Sequence, residues 1–223
     1  VLDASECPPT FGADPGTVVG IIAGGDTALR TSAEGAEDDE EAGVEAVARG
    51  SVSAADVVIG IAASGRTPYV LAALRESRRR GAKTALLACS PPTSGPQAYV
   101  DLFITPLVGP EIVSGSTRMK AGTATKLALN QITTTAMILR GKVYGNRMVD
   151  VKPVNAKLRK RAIGLVCELG GVAEPQAAAA LDEAGGDVKA AIVMLRHGVP
   201  AEEAHATIAQ AGGQLRRALD DRA

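Results

Sequence analysis

Residues 56–68 read DVVIGIAASGRTP, in which a run rich in Val and Ile leads into a small, hydroxyl-bearing loop and then into Pro68. A short β-branched run of this kind predicts a buried strand, and proline at a first helical position predicts that a helix follows. Repetition of such a strand–loop–helix unit is typical of a parallel sheet that is covered by helices on both faces.

Apolar runs on either side extend this pattern. We predict strands at residues 18–23, 56–62, 83–89 and 102–105, and helices at residues 28–48, 68–80 and 123–139. The strand signals stop in the turn-rich residues 141–153, after which a linking helix at 154–169 and further helices broken by Gly-Gly pairs follow. The sequence therefore predicts an α/β fold, with a doubly wound parallel sheet over residues 1–152 and a C-terminal helical module over residues 153–223. The apolar spacing in 123–139 predicts either a core helix or a dimer helix.

The composition of the chain narrows the range of functions to consider. The 223 residues are 46% hydrophobic and 22% charged with a net charge of −1, which is typical of a globular protein and gives no electrostatic footprint for nucleic acid or a membrane surface. Aromatic residues make up only 2%, so stacking platforms for bases are scarce. The three cysteines are an odd number at wide spacing, which favours a reducing cytoplasm. We expect a soluble chain, and because the first residue is Val1 rather than Met we expect the chain to be truncated.

The loop after residues 56–62 is the first candidate site. It contains Ala63, Ser64, Gly65, Arg66 and Thr67, and its backbone N–H groups and hydroxyls precede a helix N-terminus, which attracts anions. The loop matches neither a nucleoside triphosphate loop nor a dinucleotide fingerprint. A phosphate cradle and a plain helix cap with a turn remain equal alternatives.

Two carboxylates are candidates for acid–base chemistry. Glu6 is followed by Cys7, Pro8 and Pro9, a rigid neighbourhood in which partial burial would raise its pKa. Glu37 lies in the acidic run 34–41, but the helical wheel does not separate it from Glu40. A structural role stays open for each of them.

A third candidate segment, residues 115–123, reads GSTRMKAGT and places hydroxyls and two cations before the long helix. It could contact a second polar group of a ligand, or it could be a capped helix start. His197 and His205 are expected to be surface or cap residues.

Three motifs together carry a family resemblance. They are DASECPPTFG at residues 3–12, GIAASGRTPYV at 60–70 and GSTRMKAGT at 115–123, followed by YGNRMVDV at 144–151. With these motifs the chain resembles the N-acetylmuramic acid 6-phosphate etherase family, over essentially its whole length. The resemblance implies a sugar isomerase (SIS) fold, and the region around GDVKAAI at 186–192 is similar to a small ubiquitin-associated helical module.

The resemblance also implies a reaction and its residues. The expected lyase removes D-lactate from N-acetylmuramic acid 6-phosphate and leaves N-acetylglucosamine 6-phosphate, in the recycling of cell-wall amino sugars. The resemblance assigns Glu37 as the base at C2, Glu6 as the acid that protonates the leaving lactate, and Ser116 as a substrate contact beside the loop 63–67. No metal or other cofactor is implied.

Family members carry a first strand and a Gly-Thr-Ser-Gly-Arg loop ahead of the motif that contains Glu6. We expect this segment to be missing here and the truncated chain to be impaired as an enzyme. The resemblance further implies a cytoplasmic homodimer with the helix 123–139 near its interface. The alternative is a non-catalytic phosphosugar sensor of the glucokinase regulatory protein type, and a phosphosugar isomerase is a weaker third reading.

Overall fold

The computed structural model describes residues 1–91 and 98–220, so the last three residues of the predicted helical module lie outside the described residues. The strands are β1 (Val57–Ile61), β2 (Lys83–Leu87) and β3 (Leu102–Ile104). The α-helices are α1 (Leu2–Phe11), α2 (Glu40–Arg49), α3 (Pro68–Arg79), α4 (Lys120–Leu139), α5 (Ala156–Gly170), α6 (Glu174–Glu183), α7 (Val188–His197), α8 (Ala201–Gln210) and α9 (Leu215–Asp220).

The sheet is parallel, with strand order β1-β2-β3. Val57 pairs with Lys83, and Ala85 pairs with Leu102. The predicted strands at 56–62, 83–89 and 102–105 and the helix at 68–80 are therefore confirmed, and the chain is a mixed α/β protein. Because the three strands run in the same direction, their carboxyl ends lie at one edge, where parallel sheets place their ligands.

Helix α3 covers the sheet. Its Leu74 is fully buried against Ala62 and Leu86, and a Cβ at Gly60 would lie 2.7 Å from Leu74 Cδ1. This close approach packs the middle of α3 directly against β1. Helix α2 packs on α3 in turn, since a Cβ at Gly43 would lie 2.3 Å from the carbonyl oxygen of Tyr69.

The predicted strand at residues 18–23 is wrong. These residues form no ladder, and the side chains of Val19 and Ile21 are 65% and 53% exposed. A strand needs a hydrogen-bonded neighbour to satisfy its backbone groups, and Gly20 and the Gly24-Gly25 pair weaken the run further.

The predicted helix at residues 28–48 is only half correct. A short 3₁₀ helix spans Asp26–Leu29, turns follow, and the α-helix begins at Glu40. Gly35 has φ +77°, a left-handed conformation that interrupts a helix. The side chain of Asp39 then accepts a hydrogen bond from the Ala42 N–H and starts α2 as its N-cap.

The chain divides into two compact units. The first comprises Val1 and Gly20–Gln131, and the second comprises Leu2–Val19 together with the chain from Ile132 onward. The first unit holds the sheet with α2 and α3. The predicted boundary between residues 152 and 153, and the likeness of the tail to a ubiquitin-associated module, stay predictions.

In the second unit, α5 to α9 enclose a core with fully buried Leu181 and Ile192. The linking helix predicted at 154–169 is confirmed as α5. The core of the second unit extends upstream to Val149 and Val151. Lys189, only 6% exposed, donates to Asp150 Oδ2 at 2.8 Å and to the Gly213 carbonyl oxygen at 2.9 Å. This buried ion pair joins α7 to residues 149–151 and to the turn before α9.

The helix predicted at 123–139 is confirmed as α4, although it starts three residues earlier. Its apolar stripe is not a core stripe, because Leu127 is 52% and Leu139 73% exposed, while Ala121 and Met137 are buried. Across residues 1–91 and 98–220, no helix has both the length and the apolarity that crossing a membrane requires.

Candidate active site

The loop of residues 63–67 lies at the carboxyl end of β1, as the sequence predicted. Ala63 accepts a hydrogen bond through its carbonyl oxygen from the Cys89 N–H at 2.9 Å, which ties the loop to the end of β2. Gly65 has φ +70°, and its N–H donates to the Ala62 carbonyl at 2.8 Å. Ser64 Oγ accepts from the Arg66 N–H at 3.2 Å. The loop is therefore a defined turn whose conformation needs glycine at position 65.

This turn leaves donors available for an anion. Thr67 occupies the N-cap position of α3, but its hydroxyl makes no capping hydrogen bond. The backbone N–H groups of Ser64 and Thr67 have no hydrogen-bond partner within the described parts of the chain. Arg66 is exposed beside them, and the first turn of α3 holds no acidic residue. Free N–H groups, a cation and the positive end of a helix dipole suit a phosphate group.

Glu37 is anchored next to this loop through its backbone. Its carbonyl oxygen accepts from the Tyr69 N–H at 3.0 Å, and Tyr69 is the second residue of α3. A residue distant in sequence thus satisfies one of the unpaired amides that every helix N-terminus exposes. The Glu37 side chain is exposed and has no hydrogen bond or ion pair within residues 1–91 and 98–220.

Glu40, which the helical wheel did not separate from Glu37, has a different environment. Its carboxylate pairs with the guanidinium of Arg75 on α3. Glu40 therefore makes an exposed ion pair between α2 and α3, while the carboxylate of Glu37 is left uncommitted.

Glu6 lies on α1, in the second unit. The buried face of α1 presents Cys7 and Phe11 to Met137, whereas Glu6 is exposed. The expected partial burial of the Glu6 carboxyl group is wrong for this structure, because the two prolines continue α1 and its apolar face carries Cys7 instead. Burial and the charge of Asp3 raise the pKa of the Cys7 thiol, which keeps it a protonated core residue.

Ser116 lies in the segment between β3 and α4. Its N–H donates to the Val113 carbonyl at 3.0 Å, and Gly115 before it has φ +84°. The start of α4 meets the end of β2, since Cys89 Sγ lies 3.6 Å from the Ala121 carbonyl oxygen. Cys89 thus contacts both the loop 63–67 and the first turn of α4, so both candidate loops approach the carboxyl end of β2.

The sequence reasoning missed Glu111 as a functional candidate and named Lys120 only as one of the two cations of the segment 115–123. Glu111 accepts hydrogen bonds from the backbone N–H groups of Lys120 and Ala121, and the Lys120 ammonium donates to two carbonyl oxygens upstream. No capping pattern signals this contact, because Glu111 lies nine residues before Lys120 rather than at the spacing of a capping box.

His197 and His205 both lie in the second unit. His205 Nδ1 lies 3.7 Å from an oxygen of Asp187, and both side chains are largely exposed. Within the described residues, His, Cys, Asp and Glu do not form a group of three suited to a metal ion.

Comparison with known proteins decides the family. A family model described as the glucokinase regulatory protein N-terminal SIS domain matches residues 5–78. A protein of Erwinia tasmaniensis named N-acetylmuramic acid 6-phosphate etherase is 53% identical over 98% of this chain and 71% of its own length. Proteins from Edwardsiella ictaluri, with that name, and Vibrio cholerae, named N-acetylmuramic acid 6-phosphate etherase 1, are 50% and 51% identical over 74% and 73% of their lengths.

The chain belongs to the N-acetylmuramic acid 6-phosphate etherase family. The matches to these etherases cover the loop 63–67, Glu6, Glu37 and Ser116, since they extend over nearly the whole chain. The SIS model ends at residue 78 and so includes Glu6, Glu37 and the loop but not Ser116.

Proposed function

We propose that this protein is a carbon–oxygen lyase that converts N-acetylmuramic acid 6-phosphate to N-acetylglucosamine 6-phosphate and D-lactate. In the open-chain sugar, the C2 proton is acidified by the C1 aldehyde. A base removes this proton, its bonding electrons form a C2–C3 double bond, the C3–oxygen bond breaks with its electron pair left on oxygen, and an acid protonates the departing lactate oxygen. Water then adds its hydroxyl at C3 and its proton at C2, which completes the balance.

One observation carries the proposal within the first unit. The Glu37 carbonyl is hydrogen-bonded to the first turn of α3, directly after the loop 63–67. A phosphate held by the free N–H groups of Ser64 and Thr67 would therefore lie close to the backbone of Glu37, whose side chain is an uncommitted carboxylate. Binding energy from a remote phosphate can hold the reacting carbons against such a group.

We assign Glu37 as the base at C2 and Glu6 as the acid for the leaving lactate. Ala63 to Thr67 form the phosphate loop, and Ser116 contributes a further polar contact. Glu40 is excluded from catalysis in this proposal because Arg75 already engages it.

Three broader properties belong to the same proposal. The exposed Leu127 and Leu139 of α4 support a homodimer, which sedimentation of the purified protein tests by distinguishing two copies from one. The three free cysteines support a cytoplasmic location. The parallel three-stranded sheet supports an SIS-type doubly wound fold, and the core that α5 to α9 enclose supports a ubiquitin-associated-like tail.

The first experiment measures D-lactate released from N-acetylmuramic acid 6-phosphate by the wild type, Glu37→Gln and Glu6→Gln, with Glu40→Gln as the matched control. Loss of a general acid or base lowers the rate about 10²- to 10⁴-fold. We expect that loss in the first two variants and near wild-type release in the control. Undiminished release by Glu37→Gln, or an equal loss in Glu40→Gln, would contradict the assignment.

A second experiment separates the two roles by following deuterium uptake at C2 in heavy water. Glu6→Gln retains the base, so it should still exchange the C2 proton while releasing little lactate. Glu37→Gln should do neither. Stabilisation of the wild type by the substrate without any release of lactate would instead favour the regulatory alternative.

A further inference from the structure

The segment of residues 112–119, which contains Ser116, is closed at its base by two charged residues. Glu111 Oε2 accepts from the Lys120 N–H at 3.0 Å, and Glu111 Oε1 accepts from the Ala121 N–H at 2.9 Å. In the opposite direction, Lys120 Nζ donates to the carbonyl oxygens of Val108 at 3.1 Å and Pro110 at 2.9 Å. We call these four hydrogen bonds the 111–120 clamp.

Packing does not hold this segment in place. Ile112, Val113 and Met119 are 80%, 65% and 47% exposed, and no residue from 105 to 120 is buried. The first buried residue is Ala121, at 3% exposure. Segments with few buried apolar contacts open at low free-energy cost unless polar contacts restrain them. The clamp provides that restraint at both ends of the segment.

The clamp also makes the N-termini of α3 and α4 different. At α4 the carboxylate of Glu111 already occupies the position where an anion would bind, and these backbone bonds with the nearby Lys120 charge hold the pKa of Glu111 below its usual value. At α3 the corresponding position has no side-chain cap. A phosphate is therefore directed to the loop 63–67, while the α4 side offers the hydroxyl of Ser116 rather than free helix amides.

We propose that Glu111, with Lys120, is a positioning residue that sets the Ser116 segment for substrate binding and confines the phosphate to α3. This inference rests on the proposed function for its substrate. It assigns no chemical step to Glu111. Loss of the clamp should weaken substrate binding and leave the chemical step largely intact.

The test combines hydrogen exchange with kinetics in Glu111→Gln, Glu111→Asp and Lys120→Met. Lys126→Met on the exposed surface of α4 is the matched control for Lys120→Met, and Glu183→Gln at the exposed end of α6 is the control for Glu111→Gln. Amide exchange by mass spectrometry follows residues 112–121. Lactate release from N-acetylmuramic acid 6-phosphate gives kcat and KM.

Hydrogen bonds to a charged group contribute about 1.5–3 kcal/mol, which corresponds to a factor of about 10 or more. We expect Glu111→Gln, which keeps one acceptor and loses the charge, to speed exchange in the segment and to raise KM by up to about tenfold, with kcat nearly unchanged. Glu111→Asp keeps the charge and both acceptors and should recover part of the loss. The two controls should behave like the wild type.

Each contrary outcome has a distinct meaning. Unchanged exchange in Glu111→Gln would show that the clamp does not restrain the segment, and faster exchange with unchanged KM would show that the segment does not bind substrate. Either result overturns the inference, and so does a fall in kcat alone. If the wild type releases no lactate, the proposed function fails, and the dissociation constant of the same compound from thermal stabilisation replaces KM in deciding the inference.

Discussion

Replacing Gly43 by alanine tests the contact that places Glu37 beside the phosphate loop. Gly43 is buried in α2, and an added Cβ would lie 2.3 Å from the Tyr69 carbonyl oxygen and 3.1 Å from its carbonyl carbon. A carbon approaches a carbonyl oxygen to about 3.3 Å, so α2 and α3 would have to separate by about 1 Å. Both obstructing atoms belong to the backbone of α3, so a rotamer change does not relieve the clash.

The expected magnitude is the difference of two effects. Alanine gains about 1 kcal/mol over glycine within a helix, whereas overpacking that shifts the backbone costs about 1–3 kcal/mol, and the 2.3 Å approach to a carbonyl oxygen places this site at the upper end. A net loss of about 2 kcal/mol lowers the melting temperature by about 4–8 °C in a chain of this size. Lactate release should fall as well, because Tyr69 is the residue whose N–H binds the Glu37 carbonyl.

Thermal unfolding followed by circular dichroism measures the effect. Gly50→Ala, at the end of the same helix, is the matched control, since Gly50 has φ −71° and an added Cβ would meet no atom closer than 3.4 Å. The control should unfold at or above the wild-type temperature. If Gly43→Ala did the same, the close packing of α2 on α3 and the argument for the position of Glu37 would be refuted.

Three further predictions concern stability. Gly164→Ala in α5 should raise the free energy of unfolding in urea by about 0.5–1 kcal/mol, because nothing lies within 4 Å of the added Cβ; a loss would contradict this. Hydrogen bonds from Arg79 and Arg80 lower the pKa of Glu76 from 4.5 to about 2, so the stabilisation by its carboxylate is complete above pH 4.5 and is lost as the pH falls toward 2. The free energy of unfolding in urea should therefore depend less on pH in Glu76→Gln across this range. An unchanged pH profile would refute the assignment. Lys189→Met should lower the free energy of unfolding by about 3 kcal/mol because it leaves the Asp150 charge without its nearest partner. The ammonium of Lys142 lies 3.7 Å from Asp150, so Lys142→Met should lower the free energy of unfolding clearly less. Equal losses would contradict this account.

The strand and helix predictions succeeded where local pattern and tertiary contacts agree. Residues 56–68 carry a β-branched run, a glycine that must adopt positive φ and a proline at a helix start, and each of these acts within a few residues. The prediction at 18–23 failed because a strand depends on a partner strand that periodicity does not reveal. The prediction at 28–48 failed in its first half because a single left-handed glycine, Gly35, outweighed a helical apolar pattern.

The residues of the candidate site likewise divide into those that the sequence predicted and those that only spatial contacts distinguish. The loop 63–67 was predicted from its residues, and the choice of Glu37 over Glu40 came only from the family resemblance. In the structure the two acids differ because Arg75 reaches Glu40 across α2 and α3, a contact between residues 35 apart in sequence. The roles of Glu6, Glu37 and Ser116 in catalysis stay predictions.

The sequence by itself determined the class of fold, the phosphate-loop candidate and the family, because these depend on periodicity, glycine and proline positions and motif identity. The tertiary structure alone decided which carboxylates are committed. Glu40 is held by Arg75 across α2 and α3, and Glu111 by the amides that begin α4, whereas within the described residues Glu37 is fixed only through its backbone. The physical reason is that a hydrogen bond depends on distance in space, and Arg75 and Glu40, 35 residues apart in sequence, meet only when α2 packs on α3.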